Sequence, residues 1–496
     1  MNINKDFNSY LAENKNKKAN IGVFSIGLSA YWPQFQGVKE KLLKHFAYFT
    51  GELISRANSN IIVFNDICDN YDKSLEAGNF FASKNLDMLI CFFSTYSPSS
   101  HAITVIQKSG NPHVLLIGLQ PVPGINYDAD EATTAFIIET CNITSLPEIT
   151  NAMIRMNHKP LDIITGVLYK DEKAWKRIID WCDVADTAYK LKYDHIGLLG
   201  HVYEGMLDMN SDPTMFDAFF GMHVEHIEMD DLKKIIDNIN DSEINEKIRE
   251  IKGLFNLPDP VIDPITSKVE ISDLRWPAIV SAGMDKLVLN FKLTGLAYYY
   301  MGLDENDNEK MHAGMIIGNS LLTSKGIAVS GEQDLKNCIA MLIMSRFGSG
   351  GSFSELISAD YNENFVLVGH DGPHHLNIAE GKPVLRNLSI LHGKRGYGPS
   401  VEYKLKTGHV TILGLTQTYE GKFKFIIAEG ESIAGETPAN GNTSTRVKFT
   451  KDIRNFIEKW SNEGPTHHFA LGTGHVANKI IALAKYLKVE YELISL

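Results

Sequence analysis

The chain has 496 residues, 44% hydrophobic and 22% charged, with a formal net charge of -12. That length accommodates about three domains, each with enough apolar content for its own core, and the acidic balance repels polyanions, which excludes nucleic acid as an expected partner. No apolar run approaches the roughly 18 residues needed to span a bilayer, and the opening MNINKDFNSYLAENKNKKAN lacks a signal-peptide apolar region, so the expectation is a cytoplasmic protein with no membrane partner.

From residue 20 the pattern alternates between strand and helix. NIGVFSIGL, NIIVFND, LDMLICFFS and HVLLIGL read as strands, with GVKEKLLKHFAYFTGELISRA and SLEAGNFFASKN as helices between them. A second alternating block sets the strand DIITGVLY before the long helix DEKAWKRIIDWCDVADTAYKLK and the strand HIGLLGHVY after it. Both blocks predict parallel, doubly wound sheets, and the first domain is expected to span residues 1–194. The polar, charged stretch from Asp230 to Lys252 has helical spacing and reads as a solvated helix. Helical segments then continue through MDKLVLNFKLTGLAYYYMG and MIIGNSLLTSKG to LKNCIAMLIMSRFG, which closes a central domain over 195–347.

The glycine-rich GSGGS marks the second boundary. Beyond it, SVEYKLKTGHVTILGLTQTYEGKFKFIIAEGESI has period-two strands with turns at Thr407-Gly408 and Glu420-Gly421, so residues 348–496 are expected to form a β-rich, antiparallel or barrel-like domain. The fold class is therefore α/β: two doubly wound parallel-sheet domains and then this β-rich one. Five cysteines, Cys68, Cys91, Cys141, Cys182 and Cys338, lie far apart with no CxxC pair, and read as buried apolar residues.

Several motifs lead nowhere. LGTGH at 471–475 has two glycines between strand and helix but no GK[ST], and a bare GxG is more often a tight turn than a phosphate cradle. GSGGSFSE lacks the spacing of a nucleophile elbow. The last third is more informative. GEQD places Glu332 at a helix entrance, GGSFSE places Glu355 past a glycine turn, FVLVGH ends a strand in His370, and His467-His468 open another. Two carboxylates and two imidazoles suit a divalent ion of intermediate hardness, and Mn²⁺ with six positions would leave two for a bidentate ligand. Their spacing is not diagnostic, since lone His and Glu residues usually end solvated or in ordinary hydrogen bonds.

At these segments the chain resembles the L-arabinose isomerase family of the arabinose and fucose isomerase superfamily. The family's GEGD resembles Gly331-Glu332-Gln333-Asp334, and its GG-T-S-F-M-E resembles Gly350-Gly351-Ser352-Phe353-Ser354-Glu355 after one deletion. Its LVLGSH followed by AEEKPIL is similar to FVLVGH followed by IAEGKPVL, and its GGAHHT is similar to GPTHHF, where the family's ligand is the second histidine. The resemblance implies metal ligands Glu332, Glu355, His370 and His468, one Mn²⁺ per site, and catalytic roles for Glu332 and Glu355. By the same reading His374 and His375 are loop residues, because further imidazoles would crowd the open face of a four-ligand site, and His467 supports its neighbour. It also implies a small sugar as substrate, and a homo-oligomer, trimer or hexamer, with sites between subunits.

The first domain departs from the family. SIGLSAYWPQFQG stands where the family has GSQHLYG, with Tyr31, Trp32 and Gln34 as possible substitutes for sugar contacts, and NITSLP puts Leu146 where the family's NQTAHG has a histidine that reaches the sugar. The expected reaction is aldose–ketose isomerisation, L-arabinose to L-ribulose or a related sugar through a cis-enediolate, with two glutamates flanking the transferred proton. Two other readings compete: a non-catalytic sugar-binding or regulatory protein on the same scaffold, and a metal-dependent hydrolase.

Overall fold

The computed structural model describes residues 3–494 apart from 129–131, 258–268, 271, 303–305, 388–389, 392–393, 396–398 and 450–451. By packing, these fall into two compact units: one from Lys17 to Lys190, the other joining Met1–Asn16 to Leu191–Leu496.

The unit from Lys17 to Lys190 is built on a five-stranded parallel sheet. Its strands are β1 (Asn20–Ile26), β2 (Asn60–Cys68), β3 (Met88–Phe93), β4 (His113–Gln120) and β5 (Asp162–Val167), in the order β2-β1-β3-β4-β5. Burial on both faces explains why β3 and β4 read as unbroken apolar runs. One face packs Phe24, Phe93 and Leu116 against Phe81, Val105 and Met153. On the other, Phe49 stacks between Phe92 at 4.6 Å and Trp175 at 5.4 Å. Two helices absent from the sequence reading, Ser99–Lys108 and Ser145–Arg155, are short and rich in Ser, Thr and Ile, so their formation rests on burying Ala102, Val105, Ile149 and Met153 rather than on propensity.

The other unit contains two sheets. A parallel one, ordered β7-β6-β8-β9, comprises β6 (His195–Gly200), β7 (His223–Ile227), β8 (Gly295–Tyr299) and β9 (Ala328–Ser330). The N-terminal helix Ile3–Asn16 belongs here: Phe7 is buried among Leu199, Ile227 and Leu293, and the Tyr10 hydroxyl donates to Leu293 O at 2.9 Å.

Two sequence expectations are corrected in this region. GLAYY is not helical but is the central strand β8, all five residues buried; a run without polar punctuation has no period to distinguish strand from helix. The charged stretch 230–252 is not a solvated helix. It forms two helices, Met229–Ile236 and Asp241–Leu254, separated by an Asn240 cap, and each buries a stripe (Leu232 and Ile236; Ile244 and Ile251). The charges masked a regular apolar repeat.

The second sheet is a closed six-stranded barrel with one added strand. Its members are β10 (Gly350–Asp360), β11 (Phe365–His370), β16 (Gly408–Gln417), β17 (Phe423–Ile433), β18 (Thr443–Lys448), β19 (Phe469–Thr473) and β20 (Glu490–Ile494). The order β16-β19-β10-β11-β18-β17-β20 closes through β16–β17, and β20 adds parallel to β17. Between β11 and β16 lie the short strands β12 (Val384–Asn387), β13 (Ile390–Leu391), β14 (Lys394–Arg395) and β15 (Pro399–Glu402), paired β12 with β15 and β13 with β14. Closure removes edges for all six barrel strands, and direct pairing of β10 with β11 on one side and β19 on the other sets these three strands side by side. No helix among the described residues is long and apolar enough to cross a membrane.

Candidate metal centre

Three adjacent barrel strands, β11-β10-β19, carry three of the residues singled out in the sequence. Glu355 on β10 pairs with Gly369 on β11, so His370 follows directly on the neighbouring strand. Gly369 can carry no side chain: a Cβ there would fall 2.0 Å from Thr443 O of β18. On the other side of β10, Ser354 pairs with Phe469, placing His468 beside Glu355. The glycines that open β10 serve the same register, since Gly351 adopts φ +99° and a Cβ would meet Met341 O at 2.8 Å. Phe353, fully buried, packs its ring 4.6 Å from the His370 ring and 4.2 Å from that of His468.

Glu332 arrives from the parallel sheet. After β9 the chain makes one tight turn, Gly331–Gln333, before the helix Leu335–Arg346. Glu332 and Gln333 both adopt left-handed backbone, φ 54° and 57°. Two consecutive non-glycine residues in that region store strain that the surroundings must hold in place, a recurrent feature of functional turns. Asp334 caps the following helix by accepting from Asn337 N at 3.0 Å, which spends one of its carboxylate oxygens.

The other oxygen, Asp334 Oδ2, lies 3.1 Å from His468 Nδ1. His468 has no exposed surface, and burial, only partly offset by Asp334, pushes its pKa down to about 4, so the ring is neutral at neutral pH. With Nδ1–H donating to Asp334, the lone pair belongs to Nε2, a buried nitrogen without a hydrogen-bond partner, 3.5 Å from Glu332 Oε2. A carboxylate fixing the far nitrogen of an imidazole is the support a metal ligand needs.

His370 behaves oppositely. Burial works against its charge, but the carboxylates of Asp371, Glu355 and Glu332 outweigh burial and raise it to about 9, with Asp371 Oδ1 2.9 Å from its Nδ1. The cluster concentrates negative charge around two imidazoles, an environment built for a cation.

Glu332, Glu355, His370 and His468 thus converge. One ligand atom each from Glu355, His370 and His468 lies within 4.8 Å of the others, and a second such group joins Glu332 and His467 to the same His468. The mixed oxygen and nitrogen donors fit a divalent ion of intermediate hardness, Mn²⁺ included. Beside them opens a cavity of about 280 Å³, lined by Glu332, Glu355, His370, Asp371 and His467 together with Tyr203, Met206, Asn440, Asn442 and Ser444.

The remaining candidates differ in their placement. His374 and His375 follow β11 in a loop but are buried and do not line this cavity; His374 Nε2 donates to His370 O at 2.8 Å and so braces the backbone of the candidate ligand. His467 presents its half-exposed ring to the cavity, with Nδ1 2.7 Å from Asp208 Oδ2. The Asp208 segment is itself tied down by buried Lys336, which donates to Met209 O, Asn210 O and Ser211 Oγ. Asp208, Asp371 and the wall from Asn440 to Ser444 escaped the sequence reading because no local pattern marks them. Asp334 could have been found, as a helix-cap aspartate beside a candidate ligand.

Tyr31, Trp32 and Gln34 belong to the unit from Lys17 to Lys190. They follow β1 at the carboxyl end of its sheet, beside the β1/β3 switch point where open α/β sheets form their binding crevices. Trp32 Nε1 donates to Asp69 Oδ2 at 2.7 Å and Gln34 Nε2 to Ala30 O at 2.7 Å. Leu146 is a core residue of that unit, packed near Gly118 of β4.

Comparison with known proteins supplies independent findings. The family model of the L-fucose isomerase C-terminal domain matches residues 387–495, a span that includes His468 but not the other three candidate ligands. A sulfoquinovose isomerase of Priestia megaterium is 27% identical over 173 residues, 34% of this chain and 38% of that protein. An L-arabinose isomerase of Nocardioides sp. is 22% identical over 417 residues, covering 82% of this chain and 80% of its own length. A sulfoquinovose isomerase of Alkalicoccus urumqiensis is 21% identical, with 67% and 71% covered. The Priestia match thus spans well under half of that relative, whereas the other two run through most of both chains.

Proposed function

We propose that this chain, a member of the arabinose and fucose isomerase superfamily, is a divalent-metal-dependent aldose–ketose isomerase acting on an uncharged sugar of the L-arabinose type. The observation that carries the reading is the convergence of Glu332, Glu355, His370 and His468 beside a cavity of sugar size.

Aldose–ketose interconversion moves a proton between C1 and C2 while the carbonyl changes place. Glu332, Glu355, His370 and His468 would hold a divalent ion, Mn²⁺ by the family resemblance, which when bound would supply electrostatic stabilisation for the charge that builds on O1 and O2. Glu332 and Glu355 both line the cavity, so either carboxylate is placed to take the proton from one carbon and return it to the next. His468, neutral and pinned by Asp334, contributes a lone pair and no proton. Phe353 keeps both imidazoles in place and excludes water from their far side.

The lining also bears on substrate. Relatives are named for L-arabinose and for sulfoquinovose, whose sulfonate calls for a cationic partner. Among the described residues lining the cavity are three carboxylates and no lysine or arginine, which favours the neutral pentose. Homo-oligomerisation, trimer or hexamer, is proposed from the resemblance and is checked by sedimentation of the purified chain.

The decisive assay incubates the protein with pentoses, 6-deoxyhexoses and sulfoquinovose, with Mn²⁺ or with chelator, and scores ketose and solvent deuterium at C1 or C2. Metal-dependent ketose from a neutral aldose is expected. Glu332→Gln and Glu355→Gln should each abolish turnover with the fold retained; full activity in either removes that residue from the chemistry. Sugar binding without exchange would mark a non-catalytic binder.

A further inference from the structure

A second cluster of metal-ligating side chains lies at the opposite end of the parallel sheet. His195 opens β6 and His223 opens β7, and the two are direct partners in the parallel register. Paired residues on neighbouring strands project from the same face, and the residue two further along does so too, which adds Glu225. The rings of His195 and His223 are 4.7 Å apart, and His195 Nε2 is 2.8 Å from Glu225 Oε2. One ligand atom from each of the three falls within 4.8 Å of the others. Glu332 follows the carboxyl end of β9, whereas this cluster is at the amino ends of β6 and β7, on the order of 15 Å along the strands.

An ordinary histidine–glutamate ion pair accounts poorly for this geometry. His195 Nε2 is buried and makes no aligned hydrogen bond, although a carboxylate oxygen stands next to it. The ring also hydrogen-bonds the Phe291 backbone. A neutral ring that donates to a carbonyl through one nitrogen turns a lone pair toward Glu225 with the other. Lone pair against carboxylate is repulsive unless a cation lies between them. His223, with its side chain 63% exposed, completes the set from the solvent side, where Asp217 Oδ2 is 3.8 Å from its Nδ1.

We propose that His195, His223 and Glu225 form a second divalent-metal site, suited to Zn²⁺ or an ion of similar softness, with an open position toward solvent. Two imidazoles and one carboxylate match the donor set of tetrahedral zinc sites that keep a water ligand. Bound there, the ion would fasten β6 to β7, a structural role separate from the isomerase centre.

The test is equilibrium dialysis of the full-length chain against micromolar Zn²⁺, counting bound metal in wild type, His223→Ala, Glu225→Gln and His195→Ala. Each variant is expected to bind one Zn²⁺ fewer per chain than wild type. The same difference should persist when both proteins also carry Glu332→Gln, which separates this site from the first. Zn²⁺ should also raise the thermal midpoint of wild type more than that of His223→Ala. Because His223 is exposed, its replacement tests the site even where His195→Ala fails to fold. Equal zinc counts in wild type, His223→Ala and Glu225→Gln would overturn the proposal.

Discussion

Gln333 occupies a left-handed backbone position, φ 57°, beside a glutamate in the same region, at the place where the family's GEGD motif has glycine. Its side chain is buried, with Nε2 lacking a hydrogen-bond partner. Glycine takes that conformation without steric cost, so Gln333→Gly is expected to stabilise the protein by about 1 kcal/mol, read as a higher denaturant midpoint with activity retained. A lower midpoint would mean that packing of the Gln333 stem outweighs the backbone strain. Asp334 permits a sharper test of the metal centre. Asparagine still caps the helix but cannot hold a charge against His468, so Asp334→Asn should weaken divalent-metal affinity about 10- to 100-fold while leaving the fold intact. Isothermal titration with Mn²⁺ measures this, and an unchanged affinity would sever Asp334 from the site.

At the scale of elements, the helix Asp241–Leu254 is joined to Arg275–Phe291 by a buried ionic group. Lys247 Nζ lies 2.6 Å from Asp285 Oδ2 and 2.7 Å from Glu250 Oε2, and Lys325 reaches the other oxygen of Glu250 at 2.7 Å. Burial alone would lower the Lys247 pKa, but Asp285 and Glu250 outweigh it and raise the value; burial would raise that of Glu250, but Lys247 and Lys325 bring it below the ordinary carboxylate range. Stability from a raised lysine is complete below its unfolded value of about 10.4 and is lost as pH climbs through the higher folded one. Stability from a depressed glutamate is complete above about 4.3 and is lost as pH falls through the lower folded value. Urea denaturation from pH 3 to 11, settings chosen to bracket about 4.3 and 10.4, should therefore show a plateau that falls at both ends. Lys247→Met leaves Asp285 buried without its partner and should cost about 3 to 5 kcal/mol on that plateau. A loss near zero would mean that water or another cation already serves Asp285.

For the whole molecule, the division into two compact units predicts where metal acts. All four candidate ligands belong to the unit that joins residues 1–16 to 191–496. Mn²⁺ at about a hundred times its Kd stabilises the state that binds it by about 2.7 kcal/mol. Hydrogen exchange with Mn²⁺ and with chelator should place the gain in the segments bearing Glu332, Glu355, His370 and His468, with residues 17–190 unchanged. Protection gained only within residues 17–190 would put the ion elsewhere.

The order of elements, the parallel sheets and the β-rich last third follow from periodicity alone, because alternation and helical spacing are local properties of a chain. The four candidate ligands were legible only through motif resemblance; nothing in their separation along the chain announced a site, and it took the strand order β11-β10-β19 to bring three of them together. Strand β8 and the paired helices 229–254 were misread for the same reason in reverse, since burial is decided by partners distant in sequence. Tertiary structure alone decided that Asp334 serves His468, that His467 faces the cavity on Asp208, and that His195 meets His223 and Glu225 across two strands. These are contacts between side chains tens to hundreds of residues apart, fixed by sheet register, which no local run of amino acids encodes.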